Sequence, residues 1–309
     1  MTHTRAIIFL FFFILLQMSG SAQDFIPLWP EGKKPNTNGV TVTDSLFDER
    51  MHRVHTPGMY FFPVPKSENR GTTVLICPGG GYQRVSHIYN GFQVARWFNA
   101  AGVNAFVLIY RLPHQADLKV GSLAPLQDAQ RAMKIIRKRF GEFNSTSSRV
   151  GIMGTSAGGH LASTVGTTLQ DVSRIGDELD TVSIKPDFMI LVSPVISMGP
   201  FAHAGSKRNL LGNSPSAEAV ARYSNELQVT AATPPTFMVH AQNDSTVSVR
   251  NSALFFTALI EKGIPASLHV FPQGGHALKM VDNPGSADMF GTLLMAWMRE
   301  KGFLPLPKK

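Results

Sequence analysis

The sequence holds one cysteine in 309 residues, so no internal disulfide is available to it in any compartment. That residue, Cys77, ends the apolar run Val74-Leu75-Ile76-Cys77, where a small buried hydrophobe is expected rather than a catalytic thiol. Charge is also scarce. At 16% charged and 43% hydrophobic residues the chain is too apolar for disorder. No basic run exceeds the pairs Lys33-Lys34 and Lys308-Lys309, so the net charge of +8 reads as a solvated surface, with no nucleic-acid partner expected. There is no internal repeat and no low-complexity linker. No His/Cys/Asp/Glu cluster has metal-ligand spacing, so neither metal nor cofactor is expected. No glycine loop is followed by Lys and Ser or Thr, which excludes a phosphate loop of the usual kind. No facing pair of carboxylates suggests a glycosidase.

Long apolar runs are missing as well, with one exception. After Arg5, residues 6–16 are eleven apolar positions without a break. Gly20-Ser21-Ala22 then sets small residues three and one before Gln23. Residues 1–22 therefore read as a signal peptide, with an uncleaved anchor as the alternative. The residue directly after the cleavage point is Gln23 and not cysteine, so a lipid anchor is not expected. The expected product is residues 23–309, one soluble domain in the periplasm or outside the cell, with no stable membrane anchor and an open oligomeric state.

What is present is an alternation of short apolar runs and helix-period segments. Strands are expected at 72–77, 105–110, 149–153, 188–192, 236–240 and 267–271. Helices are expected near 88–101, 125–140, 157–169, 248–262 and 286–301. In the second helix Leu126, Ala129, Met133, Ile136 and Phe140 form one apolar stripe. The alternation predicts an α/β fold, a mostly parallel sheet covered on both faces. Segment 40–63, with Val40, Val42 and Tyr60-Phe61-Phe62, is expected to supply antiparallel edge strands. The rhythm breaks at 196–234, a long polar stretch with a short helix near 214–222, a candidate cap or substrate loop.

The chemistry-bearing residues fall at strand ends. Gly154-Thr155-Ser156-Ala157-Gly158 follows one expected strand and opens a helix, the context in which G-x-S-x-G makes a strained, exposed nucleophile turn. A serine hydroxyl needs a base and an orienting acid. Asp244 follows strand 236–240 and His276 follows strand 267–271, so both sit at the sheet edge that bears Ser156. The order Ser, Asp, His is one of the known triad orders. Asp282 is a rival acid that breaks that order, and His240 and His269, inside strands, are expected to be structural. Pro78-Gly79-Gly80-Gly81-Tyr82 follows strand 72–77, so Gly79, Gly80 or Gly81, Gly80 foremost, is expected to pair with the Ala157 N–H as an oxyanion hole. Tyr82 is taken as a substrate contact. Arg111 and Asp128 are expected to form a structural ion pair, with carboxylate binding by Arg111 as the other reading.

Together these stretches resemble the α/β-hydrolase esterases related to hormone-sensitive lipase and to acetylxylan esterases, in particular small exported bacterial hydrolases. Leu28-Trp29-Pro30-Glu31-Gly32, Tyr110-Arg111-Leu112-Pro113, residues 125–129, residues 151–160, residues 206–212, Asn243-Asp244 and Gly274-Gly275-His276 carry the likeness. It covers nearly all of residues 23–309. Two departures stand out: Pro78 precedes the glycines where lipase-like relatives carry His, and Ala277-Leu278 follows His276 where many have Gly and an aromatic. The resemblance implies a single-domain α/β-hydrolase and a serine carboxylesterase for short acyl esters, foremost acetyl groups on a plant polysaccharide such as xylan. A serine peptidase, a lipase or a feruloyl-type esterase of the same fold remains open, and a non-catalytic binding module stands last.

Overall fold

The computed structural model describes residues 24–143, 145 and 149–305. The signal-peptide reading of residues 1–22 lies outside them. The described strands are β1 (Phe25–Pro27), β2 (Ser45–Phe47), β3 (Arg50–Arg53), β4 (Gly58–Phe62), β5 (Thr72–Cys77), β6 (Asn104–Ile109), β7 (Arg149–Thr155), β8 (Met189–Val192), β9 (Thr236–Ala241) and β10 (Ala266–Phe271). The helices are α1 (Gln93–Ala100), α2 (Ala124–Lys138), α3 (Ala157–Thr167), α4 (Ala204–Leu211), α5 (Ala217–Arg222), α6 (Arg250–Glu261) and α7 (Phe290–Glu300).

Eight strands form one sheet in the order β1-β4-β6-β5-β7-β8-β9-β10. From β6 to β10 every pairing is parallel, while β1–β4 and β4–β6 are antiparallel. β5, β6, β8 and β9 are buried along their whole length, which explains their mostly apolar runs. Alternate side chains feed two cores. Leu75, Phe106 and Ile152 pack under α2, α3 and α6, whereas Val74, Val107 and Met153 pack under α1 and α7. This is the doubly covered, mostly parallel α/β sheet anticipated from the alternation.

Three details depart from expectation. Val40 and Val42 lie in irregular chain, and β2 and β3 pair with each other apart from the main sheet, so only β4 of segment 40–63 joins it. The missing edge partner is β1, whose Phe25 ring lies 4.9 Å from that of Tyr60. Phe140 falls beyond the end of α2 and is 38% exposed, because the stripe is finished at Ile136. Finally, segment 196–234 carries two helices, α4 and α5, with His203 and Ser216 as their caps through Ser206 N–H and Ala219 N–H.

Arg111 and Asp128 form the expected pair between the end of β6 and α2. The guanidinium and carboxylate meet through three contacts of 2.8–3.1 Å, and Arg111 N–H adds a fourth at 2.8 Å. Trp29 Nε1–H donates to the same carboxylate at 2.8 Å, which ties the Leu28-Trp29-Pro30 stretch to the core. Both side chains are fully buried, so Arg111 is out of reach of a substrate carboxylate.

Candidate active site

Four strand ends on one edge of the sheet build the site. β7 ends at Thr155 and α3 starts at Ala157, leaving Ser156 alone to reverse the chain at φ 57° and ψ −123°. Such dihedrals cost a non-glycine residue roughly 1–3 kcal/mol and persist only where the surroundings hold them. Here Ser156 N–H donates to Val192 O, and Ser156 O accepts from Val195 N–H and His160 N–H. The turn is tight enough that a methyl at Gly154 would stand 2.0 Å from Gly158 O, and one at Gly158 would stand 2.0 Å from Cys77 O. Both glycines are therefore demanded by backbone packing.

The loops after β9 and β10 bring Asp244 and His276 to Ser156. His276 Nδ1 lies 2.7 Å from Asp244 Oδ2, and His276 Nε2 lies 2.9 Å from Ser156 Oγ. Asp244 Oδ1 accepts the N–H groups of Thr246 and Val247 at 2.9 Å each. Burial disfavours the Asp244 charge, but hydrogen bonds from His240, His276 and the Val247 amide outweigh it and hold the carboxyl well below the usual carboxylate range. It stays an anion that orients His276. Asp282 is exposed, with its backbone in the left-handed region, and takes no part in the relay.

The oxyanion elements stand opposite. Gly79 lies against the nucleophile, since a methyl there would be 3.2 Å from Ser156 Cβ. Gly80 and Gly81 follow with φ of 135° and 64°. Among the described residues the N–H groups of Gly79, Gly80, Gly81 and Ala157 have no backbone or side-chain acceptor. Gly79 and Ala157 flank Ser156, so theirs are the free donors placed nearest its hydroxyl, as an oxyanion hole needs.

Tyr82 is the correction. Its side chain is 1% exposed and its hydroxyl lies 2.9 Å from His160 Nδ1, so it turns into the core and away from any substrate. His160 Nε2 in turn lies 2.7 Å from Tyr223 O. Burial pushes His160 down to about 4, against the opposing bond to Tyr223 O. The ring is thus neutral, with Nε2–H donating to Tyr223 and Nδ1 accepting from Tyr82. Together with Tyr110, whose hydroxyl donates to Pro78 O at 2.8 Å, Tyr82 props the glycine loop from beneath. Cys77 is fully buried, and burial raises its thiol far enough to keep it protonated.

Several supports carry no mark in the sequence pattern. His240, expected to be structural, bonds Ser252 Oγ and Val247 O, yet its Nε2 also lies 3.2 Å from Asp244 Oδ2. Asn243 Oδ1 accepts Gly275 N–H at 2.9 Å and fixes the loop before His276. Asn209, on α4, donates to Gly81 O at 2.8 Å, so segment 196–234 grips the glycine loop directly. His203 stands beside Gly81. Asn243 is legible only as the neighbour of Asp244, and Asn209 only as part of the family-like stretch 206–212; His203 has no local signal at all. A cavity of about 460 Å³ is lined by Thr155 and Ala277, the chain neighbours of Ser156 and His276, and by Tyr89, Asn90, Trp97 and Leu278 among others.

Known proteins are similar to this chain in sequence and in fold. The BD-FAE family model matches residues 61–259. A protein named endo-1,4-beta-xylanase B from Butyrivibrio fibrisolvens is 39% identical over 211 residues, covering 68% of this chain and 33% of that protein. An acetylxylan esterase from Xylanibacter ruminicola is 33% identical over 211 residues, covering 67% and 41% respectively. This chain thus spans well under half the length of both curated relatives. The crystal structure of an acetyl ester-xyloside bifunctional hydrolase from Caldicellulosiruptor lactoaceticus superposes with a TM-score of 0.77 at 36% identity, covering 92% of this chain and 98% of that one. The chain belongs to the BD-FAE family, among the α/β-hydrolase esterases.

Proposed function

We propose that the protein is a serine carboxylesterase removing short acyl groups, acetyl foremost, from acylated xylan. The observation that carries this is the relay from Asp244 through His276 to Ser156, closed at 2.7 and 2.9 Å beside the unpaired amides of Gly79 and Ala157. Ser156 Oγ attacks the ester carbonyl while His276 Nε2 takes its proton. The N–H groups of Ala157 and of the 79–81 loop receive the carbonyl oxygen as it becomes negative, each donor supplying about 3–4 kcal/mol in comparable sites. The C–O bond to the alcohol breaks as His276 returns the proton to the leaving oxygen. Water then attacks the acyl-serine by the same route, releasing the acid and restoring Ser156. Asp244 stays ionised and holds the imidazolium that forms in both steps.

The substrate follows from the activities for which the Xylanibacter and Caldicellulosiruptor relatives are named. Acetate release from acetylated xylan, measured beside a p-nitrophenyl acyl series, tests it. Release from the polymer together with a preference for acetyl over butyryl is the expected result. Cleavage of p-nitrophenyl acetate with none of the polymer removes xylan and leaves the mechanism standing.

The cavity favours a second reading. At about 460 Å³, with Tyr89, Trp97 and Leu278 on its walls and the triad's chain neighbours Thr155 and Ala277 at its edge, it has the volume and the apolar surface that an aromatic acyl chain needs. Feruloyl ester hydrolysis faster than acetyl release would make that the main activity. Export completes the proposal. Expression in a bacterial host should yield a mature protein starting at Gln23, and intact mass spectrometry of the secreted or periplasmic fraction reads it. A cytoplasmic product retaining Met1 contradicts it.

A further inference from the structure

We propose that His203 is a specificity-determining residue, donating from Nε2–H to a hydroxyl or ring oxygen of the sugar that carries the scissile ester. The inference rests on the esterase reading above and assigns the alcohol side of its site.

The proton can be placed from the hydrogen bonds alone. His203 Nδ1 accepts the Ser206 backbone N–H at 3.2 Å and lies 2.9 Å from Ser206 Oγ, capping α4. A ring nitrogen that accepts an amide hydrogen carries none of its own, so the proton of the neutral ring sits on Nε2. Burial, then the charge of His276, hold His203 below the ordinary histidine range, with Asp244 opposing and Arg208 adding to the fall. The result is one fixed donor, and among the described residues it has no acceptor within the protein.

Its position picks the alcohol. A methyl at Gly81 would stand 4.0 Å from His203 Cε1, and one at Gly205 would stand 3.1 Å from it. The half-buried ring therefore sits between the glycine loop and the first turn of α4. It is also near enough to His276 for their charges to interact. His276 protonates the departing alcohol oxygen, and a donor beside the glycine loop at Gly81 and within electrostatic range of His276 is placed to meet that alcohol. The cavity lined by Thr155 and Leu278 is left for the acyl chain. A sugar presents several oxygens to such a donor, and a p-nitrophenyl group presents none at that place.

The test must separate the donor from the cap. His203→Asn keeps an oxygen that caps α4, since Asn is among the best N-caps, and deletes the Nε2–H. Wild type and variant are compared on an acetylated xylo-oligosaccharide and on p-nitrophenyl acetate. We expect kcat/KM on the sugar ester to fall about 10-fold, mainly through KM, and the ratio of sugar ester to aryl ester to fall about 5-fold, as loss of one hydrogen bond allows. An unchanged ratio, whether both substrates suffer or neither does, shows that the ring only caps α4 and overturns the proposal. His203→Ala, which loses the cap too, should depress both substrates further through Asn209 and Gly81. A wild type inactive on the sugar ester but active on the aryl ester overturns the carbohydrate reading itself, and the role of His203 with it.

Discussion

Asp244→Asn should lower kcat about 10⁴-fold while leaving the protein folded. The reason lies in two amides. Thr246 and Val247 N–H both donate to Asp244 Oδ1, so an asparagine there must present its oxygen to them. Its NH₂ group then faces His276 Nδ1, which has to become an acceptor. The ring proton moves to Nε2, and the nitrogen 2.9 Å from Ser156 Oγ can no longer take a proton. His240 Nε2, bonded to Val247 O and 3.2 Å from the carboxylate oxygen that faces His276, meets the amide hydrogens as well and reinforces the loss. Ser156→Ala should cost at least as much, because triad members act as a unit and their removal is not additive. The check is steady-state hydrolysis of p-nitrophenyl acetate, with near-ultraviolet circular dichroism to show intact packing. A folded Asp244→Asn protein within 10-fold of wild type would mean that Asp244 does not set the His276 tautomer. Activity of folded Ser156→Ala equal to wild type would remove the nucleophile.

The second large effect is on stability and lies away from the chemistry. Asp128→Ala should destabilise the fold by about 3–5 kcal/mol, the usual cost of stranding one partner of a buried ion pair. Arg111 would keep Pro35 O at 2.7 Å and a longer contact to Gln127 Oε1 at 3.4 Å, both neutral, in a site with no solvent access. Trp29 Nε1–H and the Arg111 backbone N–H would lose their acceptor too. Small proteins hold only about 5–15 kcal/mol in total, so this is a large share of the margin. Urea unfolding reads it as a lower midpoint at unchanged slope. A shift below about 1 kcal/mol would show that the pair is replaceable. Because β6 runs on into Tyr110, which holds Pro78 O, loosening this corner is also expected to reduce esterase turnover.

Much of this molecule is legible in its amino-acid sequence. The buried strands announce themselves because both faces of a parallel sheet are dry, and β5, β6, β8 and β9 are accordingly apolar over most of their length. Gly154 and Gly158 mark the nucleophile turn because side chains there would strike backbone within 2.0 Å. These are local constraints, written in neighbouring residues. Ser156, Asp244 and His276 are legible for a related reason, as parallel strands place all their C-terminal ends on one edge.

The same reasoning fails where contacts are long-range. Tyr82 follows the glycines and reads as a substrate contact, yet it folds inward because His160, 78 residues on, offers a buried acceptor. β1 finds β4 rather than Val40 or Val42 doing so, since pairing is settled by which segment can lay Phe25 on Tyr60. Asn209 and His203 sit in a polar stretch with no periodicity to single them out, and α4 carries them to Gly81 across more than 120 residues. By itself, then, the sequence determined the layered sheet, the nucleophile turn and the order of the triad, because short-range sterics and burial dictate them. Only the tertiary structure decided what supports the glycine loop and which side chains flank it, because those depend on where distant segments come to rest.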